Sequence, residues 1–177
     1  MTRTPVHVFF VAFLVGLFLS GCASPPDTVR DYNTAVRLIA EKKYDTAELI
    51  LTQLLQEHPD DHEAWNQLGL IAFQDKRWNE AERCFRKAME LVPTRLVYRR
   101  NLALALAEQN QLVAAREIME QLVESDPGDV QYRLDLARVL WMLDQRQEAR
   151  SQLAEARKIA PENREAQLLE RQWTTSR

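Results

Sequence analysis

Residues 65–93 read WNQLGLIAFQDKRWNEAERCFRKAMELVP, and their spacing decides the fold. Trp65, Leu68, Gly69 and Ala72 share one stripe of a helix, and Ala81, Phe85 and Ala88 share a stripe of a second. Pro93 has no amide hydrogen and stops that second helix. The register recurs, because Pro59, Pro93, Pro127 and Pro161 stand 34 residues apart and divide the chain into units 28–61, 62–95, 96–129 and 130–163. Position 8 of a unit is Ala35, Gly69, Ala103 or Ala137, and position 20 is Ala47, Ala81, Ala115 or Ala149. Small residues there let two helices approach closely. Bulky ones at position 7 (Leu68, Leu102, Leu136) and position 24 (Leu51, Phe85, Met119, Leu153) fill the space beside them. One such hairpin cannot bury its own apolar face, so the four must stack.

The second unit resembles the tetratricopeptide repeat at Trp65, Leu68, Gly69, Ala81, Phe85, Ala88 and Pro93. The resemblance runs over 28–163 without a gap. It departs from the pattern where Ala72 and Arg99 replace large apolar residues, and where Asp31 and Thr34 make the first unit polar. It implies an all-α fold, a right-handed α-solenoid of four helical hairpins. In the remaining segment, 164–177, Arg164 to Trp173 (REAQLLERQW) reads as a capping helix that lays Leu168 and Leu169 over the last unit. Thr174 to Arg177 reads as a loose tail.

Composition agrees with helices. The chain has 177 residues and four glycines, none paired into a phosphate-cradling loop, and 23 Lys plus Arg against 26 Asp plus Glu. Without a strong basic stripe, nucleic acid is excluded as the main partner.

The first segment, 1–21, reads as an address. Arg3 gives a positive head, and Val8 to Leu19 is an uncharged run of 12 residues, shorter than the roughly 20 a spanning helix needs. An uncleaved membrane anchor is the competing reading, and Leu19-Ser20-Gly21-Cys22 argues against it. Those four residues resemble the lipobox of bacterial lipoproteins. That resemblance implies a diacylglyceryl group on the Cys22 thiol and an N-acyl chain on its amine after cleavage, with no other cofactor. Two or three acyl chains make anchoring effectively permanent. Ala23 follows in place of Asp, which implies the outer membrane, periplasmic face. Segment 22–27 is then a lipidated cysteine and a five-residue linker of about 16 Å reach, holding the domain against the lipid. Cys84 lies within a helical pattern and reads as a buried packing thiol.

In the tetratricopeptide superhelix, positions 2, 5, 9 and 12 of each first helix line the concave surface. Position 12 is Ile39, Phe73, Ala107 and Trp141, position 9 is Val36, Leu70, Leu104 and Arg138, and position 5 is Tyr32, Asn66, Arg100 and Leu134. A solvated face would be polar, and this one is mostly apolar, the mark of a partner's seat. The expected ligand is an extended apolar peptide or an amphipathic helix, with Arg100 and Arg138 set to pair an acid on it. Two other readings stay open: the closing helix or a second copy covers part of the groove, and Phe73 and Trp141 are core residues at helix ends. The family's carboxylate clamp is present only as fragments, Asn66, Arg100 and Asn101.

Chemistry-bearing motifs are missing. His58 and His62 flank Pro59 and read as solvated turn residues, not zinc ligands. The acidic stretch Glu57 to Glu63 reads as a turn that charges the next helix's start. The cluster Arg83, Arg86, Lys87, Arg95, Arg99 and Arg100 reads as a solvated face. No enzyme and no small-molecule substrate are expected. The expectation is a membrane-tethered adaptor for an envelope protein client, resembling the small tetratricopeptide lipoproteins of pilus and secretin assembly (tight-adherence or type IV pilotin). A scaffold for β-barrel insertion or cell-wall enzymes is the alternative.

Overall fold

The computed structural model describes residues 28–175, and there every element is a helix: α1 (Thr28–Ala40), α2 (Tyr44–Glu57), α3 (His62–Gln74), α4 (Trp78–Leu91), α5 (Leu96–Glu108), α6 (Leu112–Ser125), α7 (Val130–Met142), α8 (Arg146–Ile159) and α9 (Arg164–Thr175). Segments 1–21 and 22–27, expected to be the leader and the lipidated cysteine with its linker, lie outside the described residues. Helix starts recur every 34 residues. The first helices α1, α3, α5 and α7 touch one another directly, whereas α2, α4, α6 and α8 have no comparable contact. A stack tight on one side and splayed on the other is curved, so the first helices form its concave face.

Local chemistry sets each boundary. The second helices end at Glu57, Leu91, Ser125 and Ile159, two residues before a proline, and the intervening residue is extended (φ −130° to −139°). Each first helix closes through a left-handed residue, Lys42, Lys76, Asn110 or Asp144, at φ 60–62°. The amide after it reaches back five residues in a Schellman closure, as in Arg77 N to Ala72 O at 2.8 Å and Gln145 N to Leu140 O at 2.9 Å. Asp61, Asp129 and Asn163 accept amide hydrogens as N-caps of α3, α7 and α9. Arg95 stands at the equivalent place before α5 and gives no side-chain cap.

The core sits at the joints between units. Positions 3, 6 and 10 of a first helix face the preceding unit, while positions 7, 8 and 11 face its own second helix and the next unit. Ala64 and Ile71 of α3 thus join Leu38, Leu51 and Leu54, and Val139 of α7 joins Leu102 and Leu106. The two ends break this rule in opposite senses. In α1 the outward positions 6 and 10 are the exposed Asn33 and Arg37, and in α9 positions 7, 8 and 11 are the exposed Glu170, Arg171 and Thr174. Polar ends close the array to another apolar hairpin.

Helix α9 buries Ala166, Leu169 and Trp173 against the last unit. Leu168, expected to pack there too, is instead 55% exposed, because it sits a quarter-turn from Leu169 on a helix whose buried face is already set by Ala166, Leu169 and Trp173. Thr174 and Thr175, expected in a loose tail, belong to α9.

At Gly69 of α3 the helix packs directly against the Phe85 ring of α4. A Cβ there would lie 2.5 Å from Cε1 of the buried Phe85 ring. Gly69→Ala is expected to cost about 1–3 kcal/mol in urea unfolding followed by circular dichroism. Phe85→Leu in the same chain should recover part of that loss, and full additivity of the two changes would contradict the contact.

Candidate functional site

The concave face is built by a hydrogen-bond ladder from position 5 of one unit to position 6 of the next, each step 35 residues long. Gln67 donates to Tyr32 Oη at 3.3 Å, Asn101 Nδ2 to Asn66 Oδ1 at 2.9 Å, and Arg100 Nε to Asp135 Oδ2 at 2.5 Å. Where the next step would fall, Leu134 and Leu169 are apolar and both belong to the core of the last joint instead. The ladder fixes the angle between units and places polar atoms on the floor of the groove.

Above that floor, Val36 and Leu70 are 37% and 38% exposed, and both hold position 9 on adjoining first helices. Val97 of α5, at position 2, is exposed as well. Tyr32, Ile39, Phe73, Asn66 and Leu104 are half-buried around them. This end of the groove, over α1, α3 and the start of α5, is where the apolar side chains gather.

The other end is closed by the chain itself. Trp141 stacks on Trp173 of α9 with ring centres 4.2 Å apart and planes 4° apart. The Arg146 guanidinium lies 3.9 Å from the same indole, so Trp141 is held on both faces. Of the readings left open for this residue, the structure favours packing at a helix end under the closing helix. Phe73 makes an edge-on contact with Trp78 at 4.9 Å and packs against the second joint, leaving one side to the groove. Leu134 and Ala107, read as groove positions, are buried in the joints. The cause is that first helices touch on this side, which leaves no gap over those two positions.

Arg100 and Arg138 also have acids within the chain. Asp135, 1% exposed, accepts from Arg100 and from Gln131 Nε2 at 3.2 Å, and lies 3.6 Å from Arg138. Arg138 Nη2 is 2.5 Å from Glu165 of α9. This network ties unit three, unit four and the cap together, so the two arginines serve the stack before they serve any ligand. Asp135 went unnoticed in the sequence. An aspartate on the inward face of a buried helix, with Arg138 three residues on and Arg100 35 residues back, was the available signal.

Other candidate groups are accounted for similarly. His62, expected as a solvated turn residue, is the first residue of α3, and its Nδ1 lies 2.7 Å from Tyr98 Oη. Among the described residues, no cluster of metal-ligating side chains occurs. Arg77 forms the densest ion network, reaching Glu48, Glu80 and Asp75, and the Glu48 hydrogen bond holds its guanidinium firmly protonated. Of the basic cluster, Arg86 pairs with Glu82, Lys87 with Glu90 and Arg95 with Glu63, so it is a mixed-charge face. Burial pushes the Cys84 thiol up to about 11, which keeps it protonated and unreactive at neutral pH.

Asp135→Asn should leave Arg100 without its charge partner. About 2 kcal/mol of stability is expected to disappear, discounted because Arg100 is partly solvated. An unchanged urea midpoint would mean that the network carries no net stability.

Comparison with known proteins places this architecture. A family model described as "Cilia and flagella-associated protein 70 C-terminal domain" matches residues 12–171, most of the chain. Among solved structures, MamA (residues 41 to its end) from Desulfovibrio magneticus RS-1 superposes with a TM-score of 0.72 at 19% identity, covering 78% of each chain. The Pseudomonas aeruginosa pilF structure gives 0.68 at 20% identity, covering 82% of this chain and 67% of that one. At these identities the likeness is one of fold, and the fold is the tetratricopeptide solenoid. A curated relative, the N-terminal acetyltransferase A complex auxiliary subunit NAA15 of Arabidopsis thaliana, is 33% identical over 67 residues. That match spans 38% of this chain and 8% of the plant protein.

Proposed function

The chain belongs to the family of the cilia and flagella-associated protein 70 C-terminal domain, and from its tetratricopeptide architecture we propose that it is an adaptor whose concave face grips another protein. The carrying observation is the pair Val36 and Leu70, exposed side by side at the same repeat position, on a face whose neighbouring positions are packed. Polar residues suffice for a merely solvated surface, and adjoining exposed apolar side chains favour a docking role. The ligand class is an apolar extended segment or the apolar face of a helix, lying over α1, α3 and the start of α5.

Its setting is the outer membrane. Cys22 in Leu19-Ser20-Gly21-Cys22 carries the lipid, and the tether confines the groove to the membrane surface, which raises its effective concentration for a membrane-bound client. Assembly of an envelope machine such as a pilus or secretin fits this combination of lipobox, short linker and small repeat array. The fold likeness to the Pseudomonas aeruginosa pilF structure is consistent with it.

One set of membranes tests both parts. Crosslinked partners captured by the wild-type chain should fall at least about tenfold for Val36→Asp plus Leu70→Asp, whose side chains are exposed enough to leave the fold intact. Cys22→Ser should abolish fatty-acid labelling and release the chain from the outer-membrane fraction. Equal capture by the groove variant sinks the docking site, and persistent labelling of the serine variant sinks the anchor.

A further inference from the structure

A second surface lies at the far end of the stack, between α8 and α9. It is a cleft of about 450 Å³. Its floor is Leu153 and Trp173, and its rim carries Arg150, Arg157 and Lys158 from α8 against Glu170 from α9. Trp173 is fixed from beneath by its stack on Trp141, and Arg150 Nη2 lies 3.4 Å from the Trp173 carbonyl oxygen. The floor is therefore preformed.

The cleft's place in the repeat says what shape it takes. In every complete unit, positions 7 and 11 of the first helix are covered by the unit's own second helix. In α9 those positions are Glu170 and Thr174, and they line the cleft. Among the described residues no second helix follows α9, and the cleft is the seat that such a helix takes in the preceding units. A large Arg171 at position 8, where other units carry Ala or Gly, keeps an occupant from sinking as deeply as a hairpin partner does.

Charge says what chemistry it takes. Arg150, Arg157 and Lys158 line the cleft against the single lining acid Glu170, and although Lys158 is also paired with Glu155 at 2.6 Å, the rim keeps an excess of positive charge in a chain whose net charge is −3. Arg157 Nη1 reaches across to Glu170 Oε2 at 2.6 Å, so Glu170 closes the cleft as an internal stand-in for an incoming carboxylate. We propose that the α8–α9 cleft is a second docking site, which receives an acidic amphipathic helix of a partner protein: its carboxylates displace Glu170 from Arg157 and its apolar side chains rest on Leu153 and Trp173. Enclosure by an apolar floor suits a helix better than a flat lipid surface, and the cleft is at the end of the stack opposite α1.

The test uses the full chain carrying Val36→Asp and Leu70→Asp, so that the concave groove does not compete. A displayed library of random 16-residue peptides is panned against it, and the enriched peptide is synthesised with a fluorophore. Enriched sequences should place Asp or Glu at helical spacing beside Leu, Phe or Trp. Affinity by anisotropy should drop about tenfold with Arg157→Ala plus Lys158→Ala and rise about threefold with Glu170→Gln, at unchanged melting temperature. No enrichment, enrichment without acids, or binding indifferent to the rim would each overturn the proposal. So would vesicles of phosphatidylglycerol that bind in place of peptide with the same rim dependence, or a dimer of the free chain that the rim substitutions dissolve.

Discussion

Each interior first helix, α3, α5 and α7, has two apolar faces, and everything else follows from the need to cover both. One face is met by the helix's own second helix, and the other by the unit before it. Neither contact suffices alone, so buried residues collect at the joints, and no hairpin owns a core of its own. Close approach within the stack depends on small side chains, as at Gly69 beneath Phe85. Such a stack would continue indefinitely unless its ends changed character. They do, through Asn33 and Arg37 at one end and Glu170, Arg171 and Thr174 at the other.

Curvature is the second consequence. First helices meet along one side, which brings position 5 of each unit within hydrogen-bond reach of position 6 of the next, and the ladder Tyr32–Gln67, Asn66–Asn101, Arg100–Asp135 results. The same closeness divides the concave face. Toward α1 the exposed side chains are aliphatic, and toward α9 the surface is taken up by the Asp135 network and the Trp141–Trp173 stack. A ligand on this face is thus confined to about half of it.

Much of the architecture was legible in the chain because its markers are chemical and periodic. Proline after a helical run ends it, and Ala or Gly recurring at positions 8 and 20 marks close packing. The hairpin turns were harder, since Lys42, Lys76, Asn110 and Asp144 adopt positive φ without the glycine that would advertise it. Side-chain fates on the concave face were harder still. Periodicity assigns a residue to a face but does not say how far the neighbouring helix leans over it, which is why Leu134 and Ala107 turned out buried while Val36 and Leu70 did not. Trp141 was ambiguous for a related reason: its partner Trp173 lies in the closing helix, beyond the four proline-marked units, where a tryptophan takes the place that Ile71, Ala105 and Val139 hold in the repeat. Asp135 was easy to pass over because an acid in a helix ordinarily reads as solvated, and only its spacing to Arg138 and Arg100 marked it.

What distinguishes the concave apolar patch from scattered surface hydrophobics is that it should touch a partner while the others do not. A photo-crosslinking amino acid placed singly at positions 36, 70, 49 and 113 compares the groove with Leu49 and Val113, which are exposed on second helices. Adducts of defined mass from 36 and 70, with none from 49 or 113, are the expected result. Equal yields from all four, or adducts from the second helices alone, would contradict the account.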